Sequence, residues 1–234
     1  MTEYKLICGD CLEEMRKMPD GNIDFCLTSP PYNKSGLEGK KRKGYMGDSW
    51  KVRNIDYEKF DDFMPESEYQ EWQIAVLNEI HRLLKDGGSC AYVHKVRTKD
   101  YAATFPTEWI TKTNFKVRQE IIWDRGSTPA VNNIRFLPST EKIYWLFKGA
   151  KPKYFNKKMF TMKEVWRINP DTNNEHPAPF PKAIADRCVL AFSKIDDTVL
   201  DCFVGSGTTG ISCADNGRNF IGIDLNEKYI EMAR

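Results

Sequence analysis

The chain has 234 residues, 41% hydrophobic and 29% charged, which suits one domain with insertions and excludes a disordered polymer. It lacks the ~20-residue apolar run of a membrane span and the basic-then-apolar start of a secretory signal, and its seven cysteines, mostly in apolar runs, read as reduced thiols of a cytoplasmic protein. The net charge of +2 is segregated: residues 34–53 carry a net +5 and residues 148–167 a net +6, leaving −9 elsewhere, the pattern of a polyanion-binding face on an acidic body.

In chain order, Tyr4–Cys8 reads as a strand ending at Gly9-Asp10, and Leu12–Met18 as a short helix closed by Pro19-Asp20-Gly21. Asn22–Leu27 is a second strand, running into Thr28-Ser29-Pro30-Pro31-Tyr32-Asn33. A polar, Lys- and Gly-rich stretch without apolar period follows. Ser67–Lys85 has the 3–4 spacing of an amphipathic helix, with Asp86-Gly87-Gly88 as its stop and Ser89–Val93 as the next strand. Val117–Trp123 and Lys142–Phe147 are β-branched and aromatic, and read as paired strands. Tyr154–Asn174 reads as irregular. Pro179 and Pro181 introduce a helix at Lys182–Phe192, followed by a strand at Thr198–Phe203, a turn at Gly205–Gly210, a helix at Thr209–Asn216, a strand at Asn219–Asp224 and a helix from Glu227. Strands alternating with helices argue for an α/β sheet.

Asp201-Cys202-Phe203-Val204-Gly205-Ser206-Gly207-Thr208-Thr209-Gly210 is a strand, a glycine turn and a helix start. Glycines let the backbone approach a ligand, and the helix N-terminus offers free N–H groups. Asp224, at the end of the next strand, is placed to accept both hydroxyls of a ribose. The turn also satisfies G-x-G-x-x-G, so a nicotinamide dinucleotide is an alternative ligand, but it lacks the Gly-Lys-Ser/Thr of a phosphate-loop NTPase. Only 24 residues follow Gly210, so the rest of the sheet must come from the N-terminal side. If the strands ending at Asp10 and Asp224 share that sheet, both chain ends build the nucleoside pocket, and Asp10 can accept from an adenine amino group.

Thr28-Ser29-Pro30-Pro31-Tyr32-Asn33 resembles the catalytic motif of DNA amino-methyltransferases, which act on cytosine N4 or adenine N6, and Phe203–Thr209 resembles their cofactor motif. Gly9-Asp10-Cys11-Leu12-Glu13, His176-Pro177-Ala178-Pro179-Phe180-Pro181 and Gly222-Ile223-Asp224 with Tyr229 are weaker matches in the same order. The order, catalytic motif first, resembles the circularly permuted β group. The resemblance implies a single Rossmann-like domain over residues 1–234: a seven-stranded, mostly parallel sheet with helices on both faces, and insertions at 34–60 and 148–176 for reading DNA. It implies S-adenosylmethionine as cofactor, contacted by Asp10, Cys11, Phe180, Asp201, Phe203, Gly205, Ser206, Gly207, Thr208, Thr209 and Asp224. A serine at position 29, where adenine enzymes more often carry aspartate, leans towards cytosine N4. No Cys follows a Pro, which disfavours carbon-5 chemistry.

The residues also have a physical reading of their own. An exocyclic amine is a poor nucleophile because its lone pair is delocalised into the ring. Acceptors at Ser29 Oγ and the Pro30 carbonyl would hold its two hydrogens, Pro30 and Pro31 stiffen the turn, and Tyr32 offers a ring on which an extruded base can stack. DNA contacts are expected at Asn33, Lys40, Lys41, Arg42, Lys43, Arg53, Arg125, Lys151, Lys153, Lys157 and Lys158. Trp123 reads as core, and His176 as a solvated loop residue or a ligand contact. His81 and His94 have no metal-spaced partners, and Cys8-x-x-Cys11 has no second pair, so no metal is expected. An RNA amino-methyltransferase and a non-catalytic DNA-binding subunit are the competing readings; a homodimer or a separate specificity subunit would suit so short a chain.

Overall fold

The computed structural model describes residues 2–33, 64–99, 101–126, 135–170 and 180–234. Ten strands and six helices alternate along the described chain: β1 (Tyr4–Cys8), α1 (Cys11–Arg16), β2 (Ile23–Thr28), α2 (Glu66–Leu83), β3 (Leu84–His94), β4 (Arg97–Lys99), β5 (Ala102–Thr104), α3 (Thr107–Ile110), β6 (Lys116–Asp124), β7 (Thr140–Phe147), β8 (Val165–Arg167), α4 (Lys182–Phe192), β9 (Thr198–Asp201), α5 (Thr208–Asp215), β10 (Asn219–Asp224) and α6 (Glu227–Met232). Eight strands form one sheet in the order β1-β10-β9-β2-β3-β7-β6-β8, and β4 and β5 form a separate hairpin. Only β7 opposes its neighbours; the other pairings in the large sheet are parallel.

The sheet is buried on both faces, as parallel sheets require. Alternation along β3 sends Ala91 and Val93 to one core and Cys90 and Tyr92 to the other. The first core is closed by Ile184 and Cys188 of α4, Cys213 of α5 and Ile230 of α6. The second is closed by Met15 of α1, Leu77 and Ile80 of α2 and Trp109 of α3.

The expected α/β architecture stands, with three local corrections. Between β3 and β6, where no element was expected, lie the β4–β5 hairpin and α3. Residues 154–174 are not irregular throughout: Val165–Arg167 pairs in parallel with β6, giving the sheet an eighth strand, and Trp166 is buried in the first core. The Asp86-Gly87-Gly88 stop lies inside β3, because Leu84 already takes an extended conformation (ψ 139°) and pairs with Ile23. The join between the chain ends is as expected: β1 lies beside β10 with Cys8 opposite Asp224.

This topology fixes where a ligand can bind. From β9 the chain crosses through α5 to β10 on one side; from β2 it crosses through α2 to β3 on the other. The sheet therefore has its switch point between β9 and β2, and the crevice outside their carboxyl ends is where open α/β sheets take ligands. The glycine turn follows β9 and the Ser29–Tyr32 turn follows β2.

Candidate active site

The crevice is clasped by one buried carboxylate. Asp201, at the end of β9, is 1% exposed. Its Oδ1 accepts from Thr28 Oγ1 of β2 at 2.9 Å and from the Phe203 amide at 3.1 Å, and its Oδ2 accepts from Thr209 Oγ1 of α5 at 2.6 Å. Burial raises its pKa to about 6, against the pull of these three donors. The side chains of Asp201 and Thr209, both expected at the cofactor, are bonded to each other, and through Thr28 they tie the two motif-bearing strands together.

The turn itself is built for close approach. Gly205 and Gly207 have φ of 50° and 82°, conformations that disfavour any side chain. A β-carbon at Gly207 would also collide with Ala233 at the end of α6. Asp224 holds the turn from the neighbouring strand end: its Oδ2 accepts from the Gly205 amide and its Oδ1 from the Asn226 amide, both at 2.9 Å. Burial shifts Asp224 above the usual carboxylate range. Each oxygen has a further lone pair for a ribose hydroxyl. Ser206 and Thr208 are half-buried at the start of α5, with their hydroxyls 3.3 Å apart.

Across from Asp224, Asp10 Oδ1 caps α1, accepting from the Leu12 and Glu13 amides at 2.9 and 3.0 Å. One of its two oxygens is thus committed to structure. The Cys11 thiol is buried in the second core, which leaves its backbone to face a cofactor. Phe203 is half-buried against Trp72 of α2, ring centroids 5.6 Å apart. Phe180 packs on the first core just before α4. A backbone cradle at positive φ, a helix N-terminus and a carboxylate on the next strand fit the amino acid and ribose of a nucleoside cofactor.

The Ser29 turn is held from two sides. From behind, Tyr69 of α2 donates to the Pro31 carbonyl at 2.6 Å. Tyr69 accepts in turn from Gln73, whose carbonyl oxygen accepts from Tyr92, and Tyr92 accepts from the Trp109 indole. These groups are buried and mutually satisfied, which makes a rigid backing. His94 lies against the Tyr32 ring, centroids 4.5 Å apart, with Nε2 2.8 Å from the Tyr69 hydroxyl oxygen. Burial, aided by Arg97 and Lys95, lowers the His94 pKa to about 3, so its imidazole is neutral at physiological pH. From the front, Ser29 Oγ lies 3.0 Å from Tyr32 Oη, Tyr32 donates to Glu141 of β7 at 3.0 Å, and Arg125 binds the other Glu141 oxygen at 2.7 Å.

The expected DNA contacts separate into three groups. Lys40, Lys41, Arg42, Lys43 and Arg53 lie outside the described residues, as does His176. The segment carrying Lys151, Lys153, Lys157 and Lys158 lies away from the crevice. Because β7 runs against the sheet, the chain leaves Phe147 beside the start of β3, at the edge opposite the crevice. There the Lys153 amide donates to Gly87 and the Asn156 amide to Ala191 near the end of α4. Arg125 stays at the crevice edge, but paired with Glu141. Asn33, at φ 49°, is 3% exposed; its Nδ2 donates to the Met64 carbonyl and its buried Oδ1 has no partner among the described residues.

Sequence reasoning missed Glu141, Tyr69, His94 and Arg167. Arg167, at the end of β8 and 83% exposed, returns to the crevice edge, 3.0 Å from Asp124. Gln73, a polar residue on the apolar stripe of α2, was the one available signal for the backing network.

A family model described as DNA methylase matches residues 23–234. The chain is 30% identical to the Type II methyltransferase M.HinfI of Haemophilus influenzae, over 97% of this chain and 66% of that protein, so it spans just under two thirds of that relative. It is 27% identical to the DNA adenine methyltransferase YhdJ of Escherichia coli K12, over 97% of this chain and 80% of that one. Among solved structures, the cytosine-N4-specific PvuII DNA methyltransferase superposes with a TM-score of 0.79 at 21% identity, covering 100% of this chain and 86% of that one. The M1.HpyAVI–SAM complex superposes with a TM-score of 0.66 at 21% identity, covering 98% and 97%. The chain accordingly belongs to the DNA methylase family, the S-adenosylmethionine-dependent methyltransferases of the N4/N6 type.

Proposed function

We propose that the protein methylates an exocyclic amine of a base in duplex DNA, cytosine N4 first and adenine N6 second, after the base has swung out of the helix. One observation carries the proposal: the Ser29 turn and the glycine turn flank the switch point of one sheet, clasped by the Thr28–Asp201 hydrogen bond of 2.9 Å. In this reading S-adenosylmethionine supplies an activated methyl group. The Gly205–Thr208 backbone and Ser206 hold its amino-acid end, Asp224 its ribose, and the β1 end around Asp10 and Cys11 its adenine, with Phe203 and Phe180 flanking.

Ser29 Oγ and the Pro30 carbonyl take the two amine hydrogens, turning the nitrogen lone pair out of conjugation and towards the methyl carbon. The Tyr32 ring, backed by neutral His94, is the platform for the flipped base. Holding both reactants in line is itself the larger part of such catalysis. The cytosine preference rests on Ser29, the residue that the resemblance associates with that base; the adenine enzyme among the relatives keeps the second reading open. Reaction on cytoplasmic DNA, as a homodimer or with a separate specificity subunit, belongs to the same proposal.

The test is incubation with labelled cofactor and unmodified duplex DNA, followed by digestion and resolution of the nucleosides. N4-methylcytosine is the expected product; N6-methyladenine alone would transfer the proposal to its second form. Label found only in structured RNA, or in no nucleic acid, would reject it.

A further inference from the structure

We propose that Glu141 is a positioning residue for Ser29, acting through the Tyr32 hydroxyl, and the exit for the proton that the methylated amine must lose. The inference rests on the reading of Ser29 as an acceptor for that amine.

The direction of the hydrogen bonds carries the argument. A carboxylate only accepts, so the 3.0 Å contact between Tyr32 and Glu141 spends the tyrosine proton. In the 3.0 Å contact between Ser29 and Tyr32 the serine is therefore the donor. Ser29 thus turns its proton away from the crevice edge and keeps its lone pairs for acceptance. Without Glu141 the serine proton could rotate towards the substrate, where it would meet an amine hydrogen. Arg125 fixes the far oxygen of Glu141 at 2.7 Å, and Glu141 is only 8% exposed, so the carboxylate has little freedom to leave.

The surrounding charges leave the chain of contacts intact. Lys95 and His94 lie against the Tyr32 ring, Lys142 of β7 is paired with Glu120, and Asp124 is paired with Arg167. Glu141 is the one carboxylate among the described residues bonded to the Ser29 turn.

The same chain of contacts balances the reaction. When the N–C bond forms, the electron pair of the broken C–S bond stays on sulfur, and the nitrogen is left with one proton too many. That proton moves to Ser29 Oγ as the serine proton passes to Tyr32 Oη and the tyrosine proton to Glu141. Serine and tyrosine end as they began, and Glu141 ends as the neutral acid, which discharges to water.

The test is single-turnover methyl transfer to duplex DNA, with separate measurement of cofactor and DNA affinity. Glu141→Gln keeps the shape and loses the charge; it should slow transfer by about 100-fold while both affinities stay within about threefold. Tyr32→Phe keeps the ring, and should lose a similar factor. The double variant should be no slower than the slower single, because both changes cut one path. If Glu141→Gln is too unstable to assay, Tyr32→Phe decides the matter. Wild-type rates in either variant, losses that multiply, or a loss confined to affinity would overturn the proposal while leaving the methyltransferase reading in place. A parent protein that transfers no methyl group would overturn both.

Discussion

Ser29 and Asp224 sit on opposite sides of the crevice, and their substitutions should separate the two halves of the reaction. Ser29→Ala removes an acceptor for the amine and should lower the single-turnover rate by about 100-fold, with cofactor affinity nearly unchanged. Asp224→Ala removes a charged hydrogen-bond partner and should weaken cofactor binding by roughly 10-fold or more. Calorimetric titration beside rate measurement checks both; the opposite assignment of effects would reject the site. At this scale the sequence was legible where chemistry demands a residue type. Ser29, Tyr32, Gly205, Gly207 and Asp224 lie where the motifs put them. It was silent where one residue type serves two purposes. Asp201 ends a strand beside a glycine turn just as Asp224 does, and only the fold reveals that its carboxylate faces Thr28 and Thr209.

The elements behind the Ser29 turn make it rigid. Helix α2 presents Tyr69 and Gln73, and β3 presents Tyr92 and His94, all fully buried. His94 gives this packing a pH signature. Its ordinary value of 6.5 falls to about 3 in the fold, so between these limits the unfolded chain binds a proton that the folded protein refuses. The stability His94 contributes is complete above about pH 6.5 and is lost as pH falls towards 3. Asp201, raised to about 6, acts with the opposite sign between 3.8 and 6, so the comparison must be between variants. Unfolding midpoints at pH 5 and pH 7 should rise more steeply in the parent than in His94→Asn; parallel changes would show that His94 is not buried neutral. The large-sheet strands other than β8 and the long helices were legible from periodicity because each buries a regular face, whereas the β4–β5 hairpin and α3 were not read at all. β8 was not: three residues, Val165–Arg167, gain their strand character only from the β6 edge beside them.

Across the whole molecule, charge segregation is legible in the sequence as a pattern, while where each basic segment lies is set by the fold. Composition cannot reveal that β7 runs backwards, and that reversal alone carries Lys151, Lys153, Lys157 and Lys158 to the far edge. Replacing these four lysines with alanine should leave affinity for duplex DNA within about twofold, whereas Arg167→Ala should weaken it and reduce its salt dependence by about one counterion. The converse ranking would put the nucleic acid on the wrong side of the sheet. Segments 34–63 and 171–179, where other expected contacts fall, lie outside the described residues. The joining of the chain ends was legible, because the 24 residues after Gly210 cannot complete a sheet by themselves. The most direct examination of that joining is a crystal structure with S-adenosylhomocysteine and a duplex bearing the target base. The ribose should lie on Asp224, with the sulfur between the glycine turn and Ser29 and the target amine within about 4 Å of it, close to the near-attack range. Cofactor bound away from the β9–β2 crevice, or a base that stays stacked with its amine remote from Ser29, would contradict the proposed chemistry.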